Sequence, residues 1–121
     1  ALPKLVKMLN ENPAATVILN HGINDLGNID QYIASYQWLI RVYPNTKFVI
    51  MSVNPVNRKL YKGYAKPANI TVFNQKMQAA FPNNFVNTYQ YLQSMGFNTA
   101  DGLPYDSLTY MNLYNYMQPY L

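Results

Sequence analysis

Residues 21–25, His-Gly-Ile-Asn-Asp, bring together the side chains best suited to chemistry in this chain. His21 is the only histidine, and an imidazole can take up and release a proton near neutral pH. Asn24 adds a carboxamide, which can both donate and accept hydrogen bonds, and Asp25 adds a carboxylate beside it. Gly22 lets the backbone turn sharply. The stretch is therefore either a catalytic edge or a turn whose asparagine hydrogen-bonds its own backbone.

The strands that must position this stretch are short apolar runs. Residues 15–20 and 47–53 each have the pattern of a strand buried on both faces. Asn54-Pro55 ends the second of them, and residues 84–89 form a weaker third strand. The histidine-containing stretch follows the first strand directly, so it is expected at the carboxyl end of that strand.

Helical spacing of apolar residues predicts four helices around these strands. The first lies at the N-terminus, and the second covers 29–43 with Asn28 as its N-cap. The third follows an N-cap at Asn69, and the fourth lies at the C-terminus after Asp106 or Ser107. The positions expected to face the core are Leu2, Leu5, Val6 and Leu9; Ile29, Ile33, Tyr36, Ile40 and Tyr43; Ile70, Phe73, Met77 and Ala80; and Leu108, Met111, Tyr114 and Met117.

The alternation of helix and strand predicts a three-layer α/β/α fold with a parallel, flavodoxin-like sheet. In such a sheet the ligand sits beyond the carboxyl ends of the strands. Loops 20–28, 54–68 and 90–106 leave that edge. Function is therefore expected at these loops.

Composition limits the classes of function. The chain has 121 residues, of which 50% are hydrophobic and 12% charged, which indicates one folded domain rather than a disordered segment. No cysteine is present, so thiolate catalysis, zinc–thiolate sites and disulfides are excluded. One histidine and five acidic residues form no ligand cluster for a metal, and no apolar run is long enough for a membrane span. We expect no cofactor.

Loop 54–68 carries the basic and aromatic residues that could hold an extended ligand. Arg58, Tyr61 and Tyr64 lie among Lys59, Lys62 and Lys66. Such a mixture can bind a sugar polymer or an anionic chain, or it can be a solvated loop. The formal charge of +4 is modest and no nucleic-acid-binding motif is present, so nucleic acid is not expected as a partner.

Two sequence blocks resemble a known family. "GIND" after the first strand and "DGLPYDSLTY" before the last helix are similar to conserved blocks of the SGNH (GDSL-like) hydrolases, which are serine esterases and acyl hydrolases on a flavodoxin-like sheet. "VILNHGINDLGNIDQYI", "YPNTKFVIMSVNPV" and "FNQKMQAAFPNN" fall in the order and spacing of that family. The resemblance covers most of the chain, which corresponds to the C-terminal two-thirds of one such domain. Residues 1–121 are therefore expected to form a single domain that is incomplete at its N-terminal side.

The resemblance implies a role for each matching residue. Asn24 matches the asparagine whose side-chain N–H helps to form the oxyanion hole, a contribution of roughly 3–4 kcal/mol to transition-state stabilisation. Asp25 matches a structural aspartate, and Gly22 the turn beside it. Asp101 matches the carboxylate that orients the catalytic histidine, or it is a loop-closing residue that hydrogen-bonds local N–H groups. Pro104 stands where the family has that histidine, and proline has no side-chain base.

The chain departs from the family at the nucleophile as well. The Gly-Asp-Ser block that carries the catalytic serine is absent, and Ser35, Ser52, Ser94 and Ser107 all lie in other contexts. An activated serine needs a base within hydrogen-bond reach. His21 lies on the expected active edge and either supplies that base or packs beside the turn.

Three hypotheses follow for the function. In the first hypothesis, the chain is part of a serine hydrolase that acts on a small ester or an acylated glycan. A second chain or a missing N-terminal segment then completes the hydrolase and covers the exposed edge of strand 16–20. Alternatively it is a non-catalytic module that binds polysaccharide through Arg58, Tyr61 and Tyr64, or a structural domain with a vestigial cleft. The lack of cysteine fits the outside of a bacterial cell, which we favour, and also the cytoplasm.

Overall fold

The computed structural model of the chain describes residues 2–20, 23–55, 67–97 and 107–121, and of residues 23–25 the backbone alone. Helices and strands alternate along the described chain. In order, they are α1 (Leu2–Glu11), β1 (Thr16–Leu19), a 3₁₀ helix (Ile23–Asn28), α2 (Ile29–Val42), β2 (Lys47–Met51), α3 (Pro67–Ala80), β3 (Phe85–Val86), α4 (Thr88–Met95), α5 (Ser107–Met117) and a short 3₁₀ turn (Gln118–Tyr120).

The strands form one parallel sheet in the order β1-β2-β3. Ile18 pairs with Val49 and Leu19 with Ile50, and Ile50 pairs in turn with Phe85. Residues paired in this way point to the same face of the sheet, because side chains alternate along a strand. The register therefore sorts the core into two layers.

Helices cover both faces of this sheet, which confirms the predicted α/β/α fold class. On one face, Val17, Leu19, Phe48 and Ile50 pack with residues of α1, α2 and α3, among them Leu9, Leu39, Phe73 and Met77. On the other face, Val49, Met51 and Val86 pack with Leu92 of α4 and with Leu113 and Met117 of α5. The three-stranded sheet is thus an incomplete flavodoxin-like sandwich.

The first strand is buried on one face only, which corrects the prediction from its sequence. Val17 and Leu19 are buried, whereas Thr16 and Ile18 are exposed. Ile18 shares its face with Val49, yet 44% of its surface is exposed while Val49 is only 3% exposed. The apolar run therefore correctly predicted a strand, but it did not predict that one face of this strand is exposed.

The predicted third strand, 84–89, is shorter than expected. Only Phe85–Val86 pairs with β2, and α4 begins at Thr88. Asn87 ends the strand because its side chain accepts a hydrogen bond from the backbone N–H of Gln90, at 3.0 Å, as an N-cap does. Helix α4 was not predicted from the sequence.

The C-terminal helix is rotated about its own axis relative to the prediction, so a different face is buried. Its buried residues are Thr109, Leu113 and Met117, so that only Met117 of the predicted inner face is buried. Leu108, Met111 and Tyr114 are 57–62% exposed. Because apolar residues occupy nearly every side of this helix, their spacing does not distinguish the inner face.

The predicted helix caps differ from the observed helix starts. Asn28 stands at the N-cap position of α2, but its side chain makes no capping hydrogen bond. Helix α3 begins at Pro67, so Asn69 lies within its first turn and is not a cap. Proline suits a helix start because the first N–H groups have no partner within the helix.

Candidate active site at the carboxyl edge of the sheet

The carboxyl ends of the three strands meet at one edge of the sheet because the strands are parallel. The described segments that leave this edge are the 3₁₀ helix Ile23–Asn28 after β1, residues 52–55 after β2, and the start of α4 after β3. This is the edge at which open α/β sheets bind their ligands. The candidate site is therefore built from these segments.

The structure places one part of the predicted constellation at this edge. The backbone of Asn24 and Asp25 lies in the 3₁₀ helix that follows β1. His21, Gly22, Arg58, Tyr61, Tyr64, Asp101 and Pro104 all lie outside the described residues, as do the side chains of Asn24 and Asp25. Their roles therefore remain predictions from the sequence.

Three polar side chains form a hydrogen-bonded chain just beyond β2 and β3. The backbone N–H of Tyr89 donates to Ser52 Oγ at 2.7 Å, and Ser52 Oγ lies 2.8 Å from Thr88 Oγ1. Thr88 Oγ1 donates to Asn54 Oδ1 at 2.5 Å. Because the single proton of Thr88 goes to Asn54, Ser52 is the donor between the two hydroxyls. Ser52 also lies 3.3 Å from Asn54 Oδ1, a longer alternative.

A second polar contact fixes the same segment to α3. The carboxamide of Asn74 accepts from the backbone N–H of Val53 at 2.8 Å and donates to the carbonyl oxygen of Val53 at 2.9 Å. Asn74 is 7% exposed and Val53 is 2% exposed. Buried backbone groups need such partners, so Asn74 stabilises the chain where β2 has ended.

The buried hydroxyls serve to position the loop rather than to attack a substrate. Ser52 and Thr88 are both fully buried, and Ser52 Oγ receives a backbone N–H in place of contacting a base. A nucleophilic serine needs a base that removes its proton. Ser52 and Asn74 were not among the predicted site residues, because their roles depend on contacts with α3 and α4 that lie far away in sequence.

A shallow cavity of about 210 Å³ lies between the 3₁₀ helix and α3. Leu26, Ile29, Val72 and Phe73 supply its apolar wall, and Asn69 and Lys76 its polar side. It is next to the segment that carries Asn24. A small apolar group with a polar end would fit a lining of this kind.

Two further features are absent from the described part of the chain. No group of three or more histidine, cysteine, aspartate or glutamate side chains there could hold a metal ion. No helix in residues 2–20, 23–55, 67–97 or 107–121 is long and apolar enough to cross a bilayer.

Comparison with solved structures finds a similar fold in a longer protein. The chain is similar to a Streptococcus pneumonia protein provisionally described as a platelet activating factor, with a TM-score of 0.70 and 25% sequence identity. The match covers 88% of this chain but 59% of the neighbour, so the chain spans about three-fifths of the length of that protein. No family model matches the chain, and no curated protein matches it.

Proposed function

We propose that this chain is the larger part of an acyl-ester hydrolase of the SGNH type, and that it does not hydrolyse esters alone. The observation that carries the proposal is the position of Ile23, Asn24 and Asp25. Their backbone opens the 3₁₀ helix that follows β1 at the carboxyl edge of a parallel sheet, where an oxyanion donor would serve this chemistry. The similarity of the fold to the longer Streptococcus protein is consistent with it.

The proposed reaction is acyl transfer through a serine supplied from outside these 121 residues. The serine Oγ would attack the ester carbonyl carbon and lose its proton to a base. The carbonyl oxygen would then carry a negative charge that the side-chain N–H of Asn24 stabilises, by about 3 kcal/mol. The alcohol leaves, and water then releases the acid. An acetylated carbohydrate is the class of substrate we favour, because its acyl group is small.

Two positions account for the inactivity that we expect of the chain alone. The serine is absent, and Pro104 stands where the orienting carboxylate of Asp101 would hold a histidine. A proline side chain can neither accept nor return a proton. Restoring both groups should therefore restore hydrolysis.

A hybrid protein tests this assignment. A Gly-Asp-Ser segment from an SGNH hydrolase is placed ahead of residue 1, and hydrolysis of p-nitrophenyl acetate is measured with and without Pro104→His. We expect the substitution to raise kcat/KM by at least about 100-fold, because a positioned general base contributes on this scale.

Two variants of the hybrid serve as controls. Pro104→Ala removes the proline ring without adding a base and should give no gain in rate. Asn24→Ala, added to the Pro104→His hybrid, should lower kcat by about 100-fold through loss of an oxyanion donor. Equal rates for Pro104→His and Pro104→Ala would show that position 104 is not the position of the base.

A glycan-binding function is the second candidate, and the residue that favours it is Pro104. A cleft that has lost its base can still bind the former substrate, with Arg58, Tyr61 and Tyr64 as the predicted contacts. Binding of an acetylated polysaccharide to this chain, lost on Tyr61→Ala and Tyr64→Ala, would support it. Labelling of the material by a serine-reactive phosphonate would instead support the hydrolase.

A further inference from the structure

Helix α5 has a second apolar side, opposite the one that packs on the sheet. Its buried residues are Thr109, Leu113 and Met117, which follow one another at intervals of four residues. At about 100° per residue, Met111 lies about 160° around the helix from the centre of this buried side. Met111 therefore points away from the sheet.

Large apolar side chains make up this outward side. Leu108 and Tyr114 stand three residues before and after Met111, and the three are 57–62% exposed. With about 200 Å² for a fully exposed side chain of this size, they present about 350 Å² to solvent. We call Leu108, Met111 and Tyr114 the outer face of α5. Exposed apolar patches of a few hundred Å² often mark an interaction site.

The outer face lies in a part of the molecule that has no charged side chains. All nine lysine and arginine residues lie within the first 76 positions, and residues 77–97 and 107–121 contain no charged residue. Two copies of a chain with a formal charge of +4 repel each other where their basic surfaces approach. The outer face of α5 is thus a surface on which two copies can approach without this repulsion.

The outward direction of the face indicates that another molecule covers it. A domain consists of two or occasionally three packed layers, and α5 already belongs to an outer layer of a three-layer arrangement. Covering Met111 from within the same domain would require a fourth layer.

The chemistry of α5 favours a second copy over other occupants. A helix that lies in a membrane interface carries lysine or arginine on its polar side, and α5 carries neither. A charged protein surface would find no opposite charge on α5. The outer face of a second copy is apolar and uncharged in the same way, which is the self-complementarity that a two-fold interface requires.

We propose that two copies of the chain associate through the outer faces of their α5 helices, which pack antiparallel about a two-fold axis at Met111. In a two-fold interface each contact occurs twice, so Met111 contacts its own counterpart and Leu108 contacts Tyr114 of the second copy. The antiparallel orientation also places the N-terminus of each helix beside the C-terminus of the other, which the helix dipoles favour. The inference goes beyond the proposed function and does not depend on it.

The size of the face predicts a weak dimer. Ser107, Asn115 and Gln118 are exposed next to the apolar residues and enlarge the contact with polar side chains. Even so, the face stays below the roughly 800 Å² per partner of a standard interface. The chain is therefore expected to be monomeric in dilute solution and dimeric at high concentration.

Sedimentation equilibrium of the chain, from micromolar to millimolar concentration, tests the association. We expect the mass to rise from that of one chain to that of two. Met111→Glu should raise the dissociation constant at least about 30-fold, because it places two carboxylates against each other at the axis. Val72→Glu is the matched control, since Val72 is 52% exposed on α3, on the other side of the sheet, and the formal charge changes equally. It should leave the dissociation constant unchanged.

Salt distinguishes an apolar contact from ion pairing. Screening weakens the repulsion between the two basic chains, so 1 M sodium chloride should strengthen the dimer or leave it unchanged. Dissociation of the dimer in salt would overturn the proposal, since ion pairs outside α5 would then join the copies.

Cysteine cross-linking tests the arrangement of the helices, since the chain has no cysteine of its own. A disulfide requires Cα atoms within about 7 Å of each other. Oxidation of Met111→Cys should give covalent dimers at least about 10-fold faster than oxidation of Val72→Cys, because the dimer holds the two thiols together. A mixture of Leu108→Cys and Tyr114→Cys should give mainly the mixed dimer.

Each measurement has an outcome that contradicts the proposal. A chain that stays monomeric at every concentration, or equal dissociation constants for Met111→Glu and Val72→Glu, would overturn the interface. Preferential dimers of Leu108→Cys with itself would overturn the antiparallel arrangement. None of these experiments uses an ester, so failure of the proposed hydrolysis would leave their results unaffected.

Discussion

At the scale of single residues, the side chain of Asn74 pairs with the backbone of Val53 as a neighbouring strand would. Its carboxamide accepts one hydrogen bond from the Val53 backbone and donates another to it, as a peptide group of an adjacent strand would. Both residues are buried. The polypeptide can therefore leave the sheet after Met51 without leaving buried backbone groups unpaired at Val53.

Substitutions at Asn74 should separate the two hydrogen bonds. Asn74→Ala removes both and should lower the free energy of unfolding by about 2 kcal/mol or more, because buried polar groups lose their partners. In Asn74→Asp, an ionised carboxylate can accept from the Val53 N–H but cannot donate to its carbonyl oxygen. We expect this variant to be destabilised at pH 7 by urea denaturation.

Acid should partly rescue Asn74→Asp. Burial and the facing carbonyl oxygen should raise the pKa of the introduced carboxyl in the folded state, so the stabilising protonated form is present below its unfolded pKa and is lost as the pH rises. The deficit relative to the wild type should therefore shrink between pH 7 and pH 4. Asn74→Ala serves as the control and should show no such recovery. An equal deficit at both pH values would contradict the assigned donor role.

Tyr36 should make the stability of the fold depend on alkaline pH. It is buried in the core, 5.9 Å from Tyr32 and 6.1 Å from Phe81 between ring centroids. Burial, and secondarily the nearby Tyr32, raise the pKa of its hydroxyl above the ordinary value. Its contribution is complete below the unfolded pKa of about 10 and is lost as the pH rises beyond it, at up to about 1.4 kcal/mol per pH unit.

Urea denaturation at pH 8 and pH 10.5 measures this dependence. The free energy of unfolding of the wild type should fall between the two values. Tyr36→Phe should reduce that fall because it removes the titrating group. A fall of the same size in Tyr36→Phe would assign it to other groups.

At the scale of elements, α5 shows how a uniformly apolar helix conceals its inner face. The observed inner face contains Thr109 and Leu113, while Leu108 and Met111 are exposed. In this orientation Tyr116 stacks on Tyr91 of α4. No sequence pattern within α5 specifies that contact, because α4 lies in a stretch predicted to be strand and loop.

Alanine substitutions within α5 should report its orientation. Leu113 is 7% exposed, so Leu113→Ala should cost about 2–4 kcal/mol of unfolding free energy through the cavity it leaves. Leu108 is 60% exposed, and Leu108→Ala should change the stability by less than about 0.5 kcal/mol. Chemical denaturation of both variants compares the same substitution on opposite sides of one helix. The opposite ranking would support the orientation predicted from the sequence.

At the scale of the whole molecule, the sequence was sufficient for the fold class but not for the extent of burial. Strand and helix periods alternate clearly, and β1, β2, α2 and α3 lie close to their predicted positions. The exposure of Ile18 was not predictable in this way. An apolar run indicates that a strand forms, whereas the exposure of Ile18 depends on which other elements of the chain pack against it.

The candidate site was predictable only in the residues that act locally. Asn24 follows a strand within a short motif, so its position at the carboxyl edge could be inferred from its neighbours. Ser52 acts through Thr88, and Asn74 acts through the backbone of Val53. Their partners are separated by a helix or more of intervening chain, and a single sequence contains no signal for such pairs.

The hydrogen-bonded chain through Ser52 and Thr88 has a direction, and its two ends set it together. The N–H of Tyr89 can only donate, and Asn54 Oδ1 can only accept. When the Ser52 hydroxyl donates to Thr88 and the Thr88 hydroxyl donates to Asn54, each hydroxyl receives one hydrogen bond and gives one. The start of α4 and the end of β2 therefore supply the donor end and the acceptor end of one series at the carboxyl edge of the sheet.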